Sequence, residues 1–365
     1  MTSALYIHIP FCDKICNYCD FPKLLHGTFS EEQYLSCLIN EYKSYKIPYD
    51  SLKTIYIGGG TPSCLSEKSL ETLLSLLHHD FPSVQEFTIE ANPESLSLDK
   101  IKTMSKYGIN RVSLGVESST DTILKRLNRQ HKKDDVISIV NRLIDNGITN
   151  INLDFIYGLE DTDIHDLDKD LEFAVSLPIK HLSFYSLQIE EGTVFHNKNV
   201  KSIDDDALAK MYNHIITTLD NFGFHRYEVS NFAIPGFESK HNLTYWHDDE
   251  YFAIGLGASG YINKTRYKNT LSMNKYLKGA TKATEEYVSP SNEEFEFLML
   301  NLRLTDGFSI SEFNKRFSSD FLVSYKENID KVKAYIEIKN GRFFIKPQYI
   351  YTMDSILLDI LKNPD

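Results

Sequence analysis

Tryptophan occurs once and cysteine five times in these 365 residues, and no apolar run approaches the roughly 20 residues that cross a bilayer. An odd, small number of cysteines excludes a disulfide framework, and a chain this long can bury a large core without staples. Basic residues are scarce too: 39 Lys and Arg against 51 Asp and Glu leave a net charge of −12. That balance argues against a general nucleic-acid binder and against docking on an anionic membrane. A strand pattern begins almost at Met1, so neither a leader peptide nor a long extension is expected; with reduced cysteines, this predicts a cytoplasmic protein.

What cysteine there is lies concentrated. Cys12, Cys16 and Cys19 fall within eight residues, directly after the apolar run Leu5-Tyr6-Ile7-His8-Ile9, whereas Cys37 and Cys64 share no tight spacing with them. Thiolates in such a run can converge on one iron–sulfur centre. Structural zinc ordinarily takes paired ligand groups, and no second CxxC exists; His8 or His26 would have to complete a zinc site. Three thiolates on a four-iron cluster would leave one iron open for a small molecule.

The chain repeats one physical unit, in which a helical pattern ends at glycine and a short apolar strand follows. It occurs at Gly108, at Gly147 and at Gly223, with Pro178 in the joint of a further copy. Strands are predicted near 4–9, 53–58, 85–91, 110–116, 149–156 and 180–186. Helices are predicted near 31–46, 66–79, 97–107, 121–144, 163–176 and 204–221. Alternation of this kind implies an α/β fold with a parallel sheet, whose function gathers at the carboxyl ends of the strands. Those ends carry Gly58-Gly59-Gly60-Thr61, Glu90, Glu117 and Asp154. Glycines there admit close backbone approach and can expose amides, although a plain tight turn reads the same way. A carboxylate in the apolar run Leu153-Asp154-Phe155 needs a partner, since burying it alone is costly.

The CxxxCxxC spacing resembles that of the radical SAM enzymes. The longer phrase Leu5-Tyr6-Ile7-His8-Ile9-Pro10-Phe11-Cys12 is similar to one branch, the oxygen-independent coproporphyrinogen III oxidases and the related HemW-type haem chaperones. The resemblance covers nearly the whole chain and implies a partial (β/α)6 barrel. It also implies a [4Fe–4S] cluster on Cys12, Cys16 and Cys19, completed by S-adenosylmethionine. It places Tyr6, Tyr18, Gly59, Gly60, Thr61, Glu90, Glu117, Arg129 and Asp154 around that cofactor. The branch usually has Gln where Glu117 stands, which keeps the acceptor but loses the amide donor. Read without the resemblance, Arg129 is a solvated helix end and the two tyrosines are core.

Two features separate chaperone from oxidase. The oxidase loop has a further cysteine two residues after the third, where this chain has Phe21, and it carries an N-terminal extension, where this chain has eleven residues before Cys12. Both favour the haem chaperone, with oxidative decarboxylation of coproporphyrinogen III as the alternative. The phrase His241-Asn242-Leu243-Thr244-Tyr245-Trp246 resembles the HNxxYW motif associated with haem in the chaperones. It makes His241 the expected axial ligand, with His247 as substitute. The glycine-rich stretch Ile254–Gly260 lacks the helix and acidic partner of a dinucleotide site, leaving tight packing or a cofactor-proximal loop. Residues 281–290 read as a linker. Helices near 291, at 309–317 and at 321–332, then a hairpin turning at Asn340-Gly341, suggest a small winged-helix-like α+β module. The expected organisation is a core over 1–235, a haem-binding segment over 236–285 and a C-terminal domain over 286–365. The expected partners are haem and a haem-requiring acceptor at the membrane, without nucleic acid; a homodimer stays open.

Overall fold

The computed structural model describes residues 2–362. Six parallel strands form its centre: β1 (Ala4–Ile9), β2 (Thr54–Gly59), β3 (Glu86–Ala91), β4 (Arg111–Glu117), β5 (Asn150–Tyr157) and β6 (His181–Ser186). Each lies within one residue of its predicted bounds, because both faces of a parallel strand are buried and its apolar run is unbroken. The strands pair in chain order, in a nine-stranded sheet whose two ends are unpaired with one another, so the barrel is open. Beyond β6 the sheet continues with two short antiparallel strands, Asn231–Ala233 and His225–Arg226. The glycine stop at Gly223 therefore starts a two-residue edge rather than another parallel strand. On the other side Phe252–Ile254 pairs parallel to β1, an addition the sequence pattern did not reveal.

Helices α1 (Glu31–Ser44), α2 (Glu67–Asp80) and α3 (Leu98–Lys106) connect the first strands. Ser30, Ser66 and Ser97 cap them by accepting a hydrogen bond from the third residue on. The predicted helix over 121–144 is two: α4 (Asp121–Leu127) and α5 (Lys133–Asp145). Asn128 divides them in the left-handed conformation, with φ +67°, and Arg129 turns back into the barrel. Beyond the sheet, α6 (Lys240–Trp246) packs beneath β2. The presumed linker over 281–290 contains a strand, Lys282–Tyr287, exposed throughout and paired along one edge to Thr265–Asn269. Its polar composition reflects the water on its free side. The C-terminal portion sets helices, among them Pro290–Asn301 and Ile310–Phe317, against a three-stranded antiparallel sheet. A cluster of phenylalanines, centred on Phe297, Phe308, Phe313 and Phe321, fills the space between. No described helix is long and apolar enough to cross a membrane.

Candidate functional site

A cleft of about 520 Å³ opens at the carboxyl ends of the strands. The loop over residues 12–25 forms one wall. Its base is zipped by pairing of Phe11–Cys12 with Leu24–Leu25, and the His26 N–H donates to the Cys12 carbonyl at 2.9 Å. Its far side is tied to the turn after α4: Asn128 Nδ2 donates to the Ile15 carbonyl, and Asn17 Nδ2 to the Arg126 carbonyl, both at 2.7 Å. Cys12, Cys16 and Cys19 all line the cleft. Their sulfurs are not gathered within the 4.8 Å that would let a single ion take all three. That spread suits a polynuclear cluster better than one zinc ion.

The glycine turn after β2 packs directly on the first cysteine. A Cβ on Gly60 would sit 2.7 Å from the Phe11 carbonyl and 2.9 Å from Cys12 Sγ, and one on Gly59 would strike the His8 ring at 2.6 Å. Close approach is thus what these glycines provide. Their amides are already engaged: Gly59 N–H donates to Glu90 Oε2 at 2.9 Å, Gly60 N–H to the Ile9 carbonyl at 2.8 Å, and Thr61 N–H to the Phe11 carbonyl at 2.8 Å. The expectation that the turn offers free amides to a ligand is corrected accordingly. The Thr61 hydroxyl points at Cys12 Sγ, 3.6 Å away.

The carboxylates of Glu90, Glu117 and Asp154 line the same cleft. Glu90 takes a hydrogen bond from the Tyr56 hydroxyl at 2.7 Å besides that from Gly59. Burial, with Asp154 adding to it, pushes its pKa up to about 7. Asp154 has the partners its apolar strand demanded, accepting from Ser113 at 2.9 Å and from Asn152 at 2.8 Å. Glu117 adopts φ +64° at a register irregularity between β4 and β5, which turns its side chain into the barrel. There its Oε1 lies 3.6 Å from Arg129. Arg129 is buried, not solvated. It donates to Asn92 at 2.8 Å, to the Gly115 carbonyl, and to Cys16 Sγ at 3.4 Å. Burial opposes its charge, but Glu117, Tyr18 and Cys16 hold the guanidinium protonated. Its Nε is buried without a partner.

Of the residues expected around the cofactor, Tyr18, Gly59, Gly60, Thr61, Glu90, Glu117, Arg129 and Asp154 all line this cleft. Tyr6 is not on its wall; its hydroxyl meets His8 Nδ1 at 3.0 Å, and its ring stacks on Tyr56. Tyr56, Asn92, Ser113 and Tyr185 also line the cleft and were missed. Asn92 stands two residues after Glu90 at the same strand end, which was the signal available.

His241 lies elsewhere. It is fully buried in α6, at the amino ends of the strands, with Nδ1 2.9 Å from the Thr54 hydroxyl and Nε2 2.7 Å from that of Tyr245. Glu86, at the start of β3, accepts from the Lys240 and His241 amides at 2.9 Å, anchoring the helix there. Burial, reinforced by Arg111, lowers the imidazole pKa to about 3, so it is neutral. Neutrality suits a metal ligand, but neither nitrogen is free, and the arrangement as it stands does not fit an axial ligand. His247 is half-buried, with Nδ1 3.3 Å from Asn301. No histidine lines the cleft among the described residues. The glycine-rich loop after Phe252–Ile254 is a packing element: a Cβ on Gly255 would meet the His8 carbonyl and the Tyr34 hydroxyl, and one on Gly257 would meet Pro22.

The donor set fits the cluster and cofactor named by the sequence resemblance. Three thiols and the carboxylates of Glu90, Glu117 and Asp154 line the cleft, and a buried guanidinium nitrogen has no partner among the described residues. Comparison with known proteins agrees. The Radical SAM superfamily profile matches residues 6–174, and that of the HemN C-terminal domain residues 288–348. The chain is 40% identical over 339 residues to the heme chaperone HemW of Lactococcus lactis, covering 90% of this chain and 89% of that one. With the Escherichia coli heme chaperone HemW it shares 34% over 326 residues, 85% of each chain. The fold matches that of the Escherichia coli coproporphyrinogen III oxidase HemN with a TM-score of 0.86 over 99% of this chain and 90% of that one, at 18% identity. From the spacing of its cysteines to the last of its strands, the chain belongs to the radical SAM superfamily, in the HemW group, and that family implies a [4Fe–4S] cluster and S-adenosylmethionine.

Proposed function

We propose that this protein is a haem chaperone, which binds haem, carries a [4Fe–4S] cluster completed by S-adenosylmethionine, and hands haem to an acceptor protein. What supports the reading is full-length kinship with proteins named heme chaperone HemW. Phe21, where oxidases of the branch have a further cysteine, points the same way and is largely exposed on the cluster loop. A membrane-bound acceptor and a homodimer belong to the same proposal.

Cys12, Cys16 and Cys19 would hold the cluster, which supplies an open iron for the amino acid end of S-adenosylmethionine. The chain's own groups orient and shield. Glu90, once ionised, offers an acceptor to the N–H of the amino group, and Arg129 Nε offers a donor to a carboxylate. Thr61 and Arg129 direct hydrogen bonds at the thiolates. Pro10 and Phe11, buried behind Cys12, would with the zipped loop base keep water from that side of the cluster.

An anaerobic haem titration followed at the Soret band tests the proposal, using cluster-loaded protein. Saturable one-to-one binding, without product from coproporphyrinogen III, supports the chaperone. Turnover of coproporphyrinogen III without saturable haem binding would assign the chain to the oxidases instead. The variants His241→Ala and His247→Ala, run beside it, show which histidine reaches the iron. A response at His241 requires its bonds to Thr54 and Tyr245 to open first.

A further inference from the structure

We propose that Asp13, His26 and Cys64 form a second, mononuclear site for a borderline divalent cation, Zn2+ in the first instance, on the outer side of the cluster loop. The proposal goes beyond haem carriage and does not depend on it.

Among the described residues these three are the one group whose ligand atoms all lie within 4.8 Å of one another. They offer one oxygen, one nitrogen and one sulfur, a donor set suited to Zn2+ with water in the fourth position. His26 Nδ1 and Asp13 Oδ1 stand 3.1 Å apart. Two ligands at roughly 2.0–2.1 Å from a tetrahedral ion are separated by about 3.3 Å, so this pair is already spaced for coordination. The Cys64 sulfur lies within 4.8 Å of both.

The surroundings carry the second line of reasoning. The other ring nitrogen of His26, Nε2, lies 3.3 Å from Glu31 Oε2. A proton on Nε2 fixes the tautomer that leaves Nδ1 free for metal, as the outer carboxylate of a histidine ligand ordinarily does. Glu31 is in turn held in place, accepting from the Ser69 hydroxyl at 2.7 Å, from the Ser66 hydroxyl and from the Ser66 amide at 3.2 Å. One imidazole ring stands between two carboxylates, which a protonated ring answers from both nitrogens and a cation at Nδ1 would answer on the Asp13 side. The Cys64 thiol, buried beside them, donates to the Phe11 carbonyl at 3.3 Å. Asp13 and His26 are exposed, so an ion can reach the site from solvent.

The three ligands come from separate segments. Asp13 follows the first cluster cysteine, His26 closes the loop base through its amide on Cys12, and Cys64 sits in the turn after the glycine motif. One ion would therefore cross-link the cluster loop to the floor beneath it.

The experiment uses the cluster-loaded full chain, exposed anaerobically to Zn2+, desalted, and assayed for zinc and iron per chain and by zinc X-ray absorption. The expected result is one zinc per chain, with a single sulfur neighbour at about 2.3 Å and the rest nitrogen and oxygen. Cys64→Ser and His26→Ala should each lower zinc retention at least tenfold while iron content is unchanged. No retained zinc, retention indifferent to both substitutions, or two or more sulfur neighbours, which would place the ion on the cluster cysteines, would overturn the proposal. His26→Ala lies at the surface and decides alone if Cys64→Ser folds poorly.

Discussion

Glu90 is the residue whose ionisation the site leaves undecided near neutrality. With its pKa pushed up to about 7 by burial, it is mostly protonated at pH 6 and mostly ionised at pH 8. An amino N–H donates better to the ionised carboxylate, which only accepts, so affinity for S-adenosylmethionine should rise with pH through 7. The change is up to about tenfold per pH unit below that point. Anaerobic calorimetry at pH 6, 7 and 8 measures it, and Glu90→Gln should flatten the profile; an equally steep profile in the variant would assign the proton elsewhere. The sign for the apoprotein is opposite. A carboxyl whose folded pKa is raised adds stability below about pH 4.5, and that contribution is lost as pH rises through 7. His241 makes a different residue-scale demand. Replacing it with alanine removes partners from Thr54 and Tyr245 and opens a void, which should cost about 2–3 kcal/mol in urea denaturation without any haem present. A loss below about 0.5 kcal/mol would mean that the imidazole is not structural, contrary to its bonding here.

Among the elements, the turn between α4 and α5 matters most to the site, because it both anchors the cluster loop and delivers Arg129. Asn128 performs the first task by tolerating φ +67° and donating to Ile15. Asn128→Ala should destabilise by about 1–2 kcal/mol and speed iron loss from the cluster. Asn128→Gly keeps the backbone and loses only the tether, so it should sit between; chelator-driven bleaching of the cluster band ranks the three. This turn also marks where the sequence stopped being legible. Residues 121–144 carry one helical periodicity, and Arg126-Leu127-Asn128-Arg129 reads as a solvated face, because a single left-handed residue leaves no trace in an apolar pattern. The six central strands were readable, since buried parallel strands are continuous apolar runs. Phe252–Ile254 is too short to stand out, and Lys282–Tyr287 is polar because one edge supports it. Within the site, the cysteines announce themselves by spacing alone, whereas Tyr56 sits mid-strand where an aromatic ordinarily means core. His241 shows the limit of motif reading: a phrase can be matched correctly while the side chain's surroundings stay hidden.

At the scale of the whole molecule, the C-terminal portion is fastened to the barrel by charges. Asp248, directly after the helix that bears His241, is buried and accepts from Arg266 at 3.2 Å and from Arg316 at 2.8 Å. Arg316 also pairs with Glu293 at 3.3 Å. Asp248→Ala leaves two half-buried guanidiniums short of a counter-charge and should cost on the order of 3 kcal/mol. Urea unfolding followed by circular dichroism checks it, and the preserved ion pairs to Glu293 and Glu296 predict that the transition stays single. A loss within 0.5 kcal/mol would show that the joint does not depend on Asp248.

Tyr56 spans the two ends of this barrel. Its hydroxyl holds Glu90 in the cleft, and its ring stacks on the imidazole of His241 at a centroid distance of 5.2 Å. A ligand that drew the Glu90 carboxylate away would leave the Tyr56 hydroxyl without that acceptor, on the same side chain whose ring packs on His241. Any preference that an occupant of the cleft imposed on the far helix through this side chain would be returned by an occupant of that helix with equal strength.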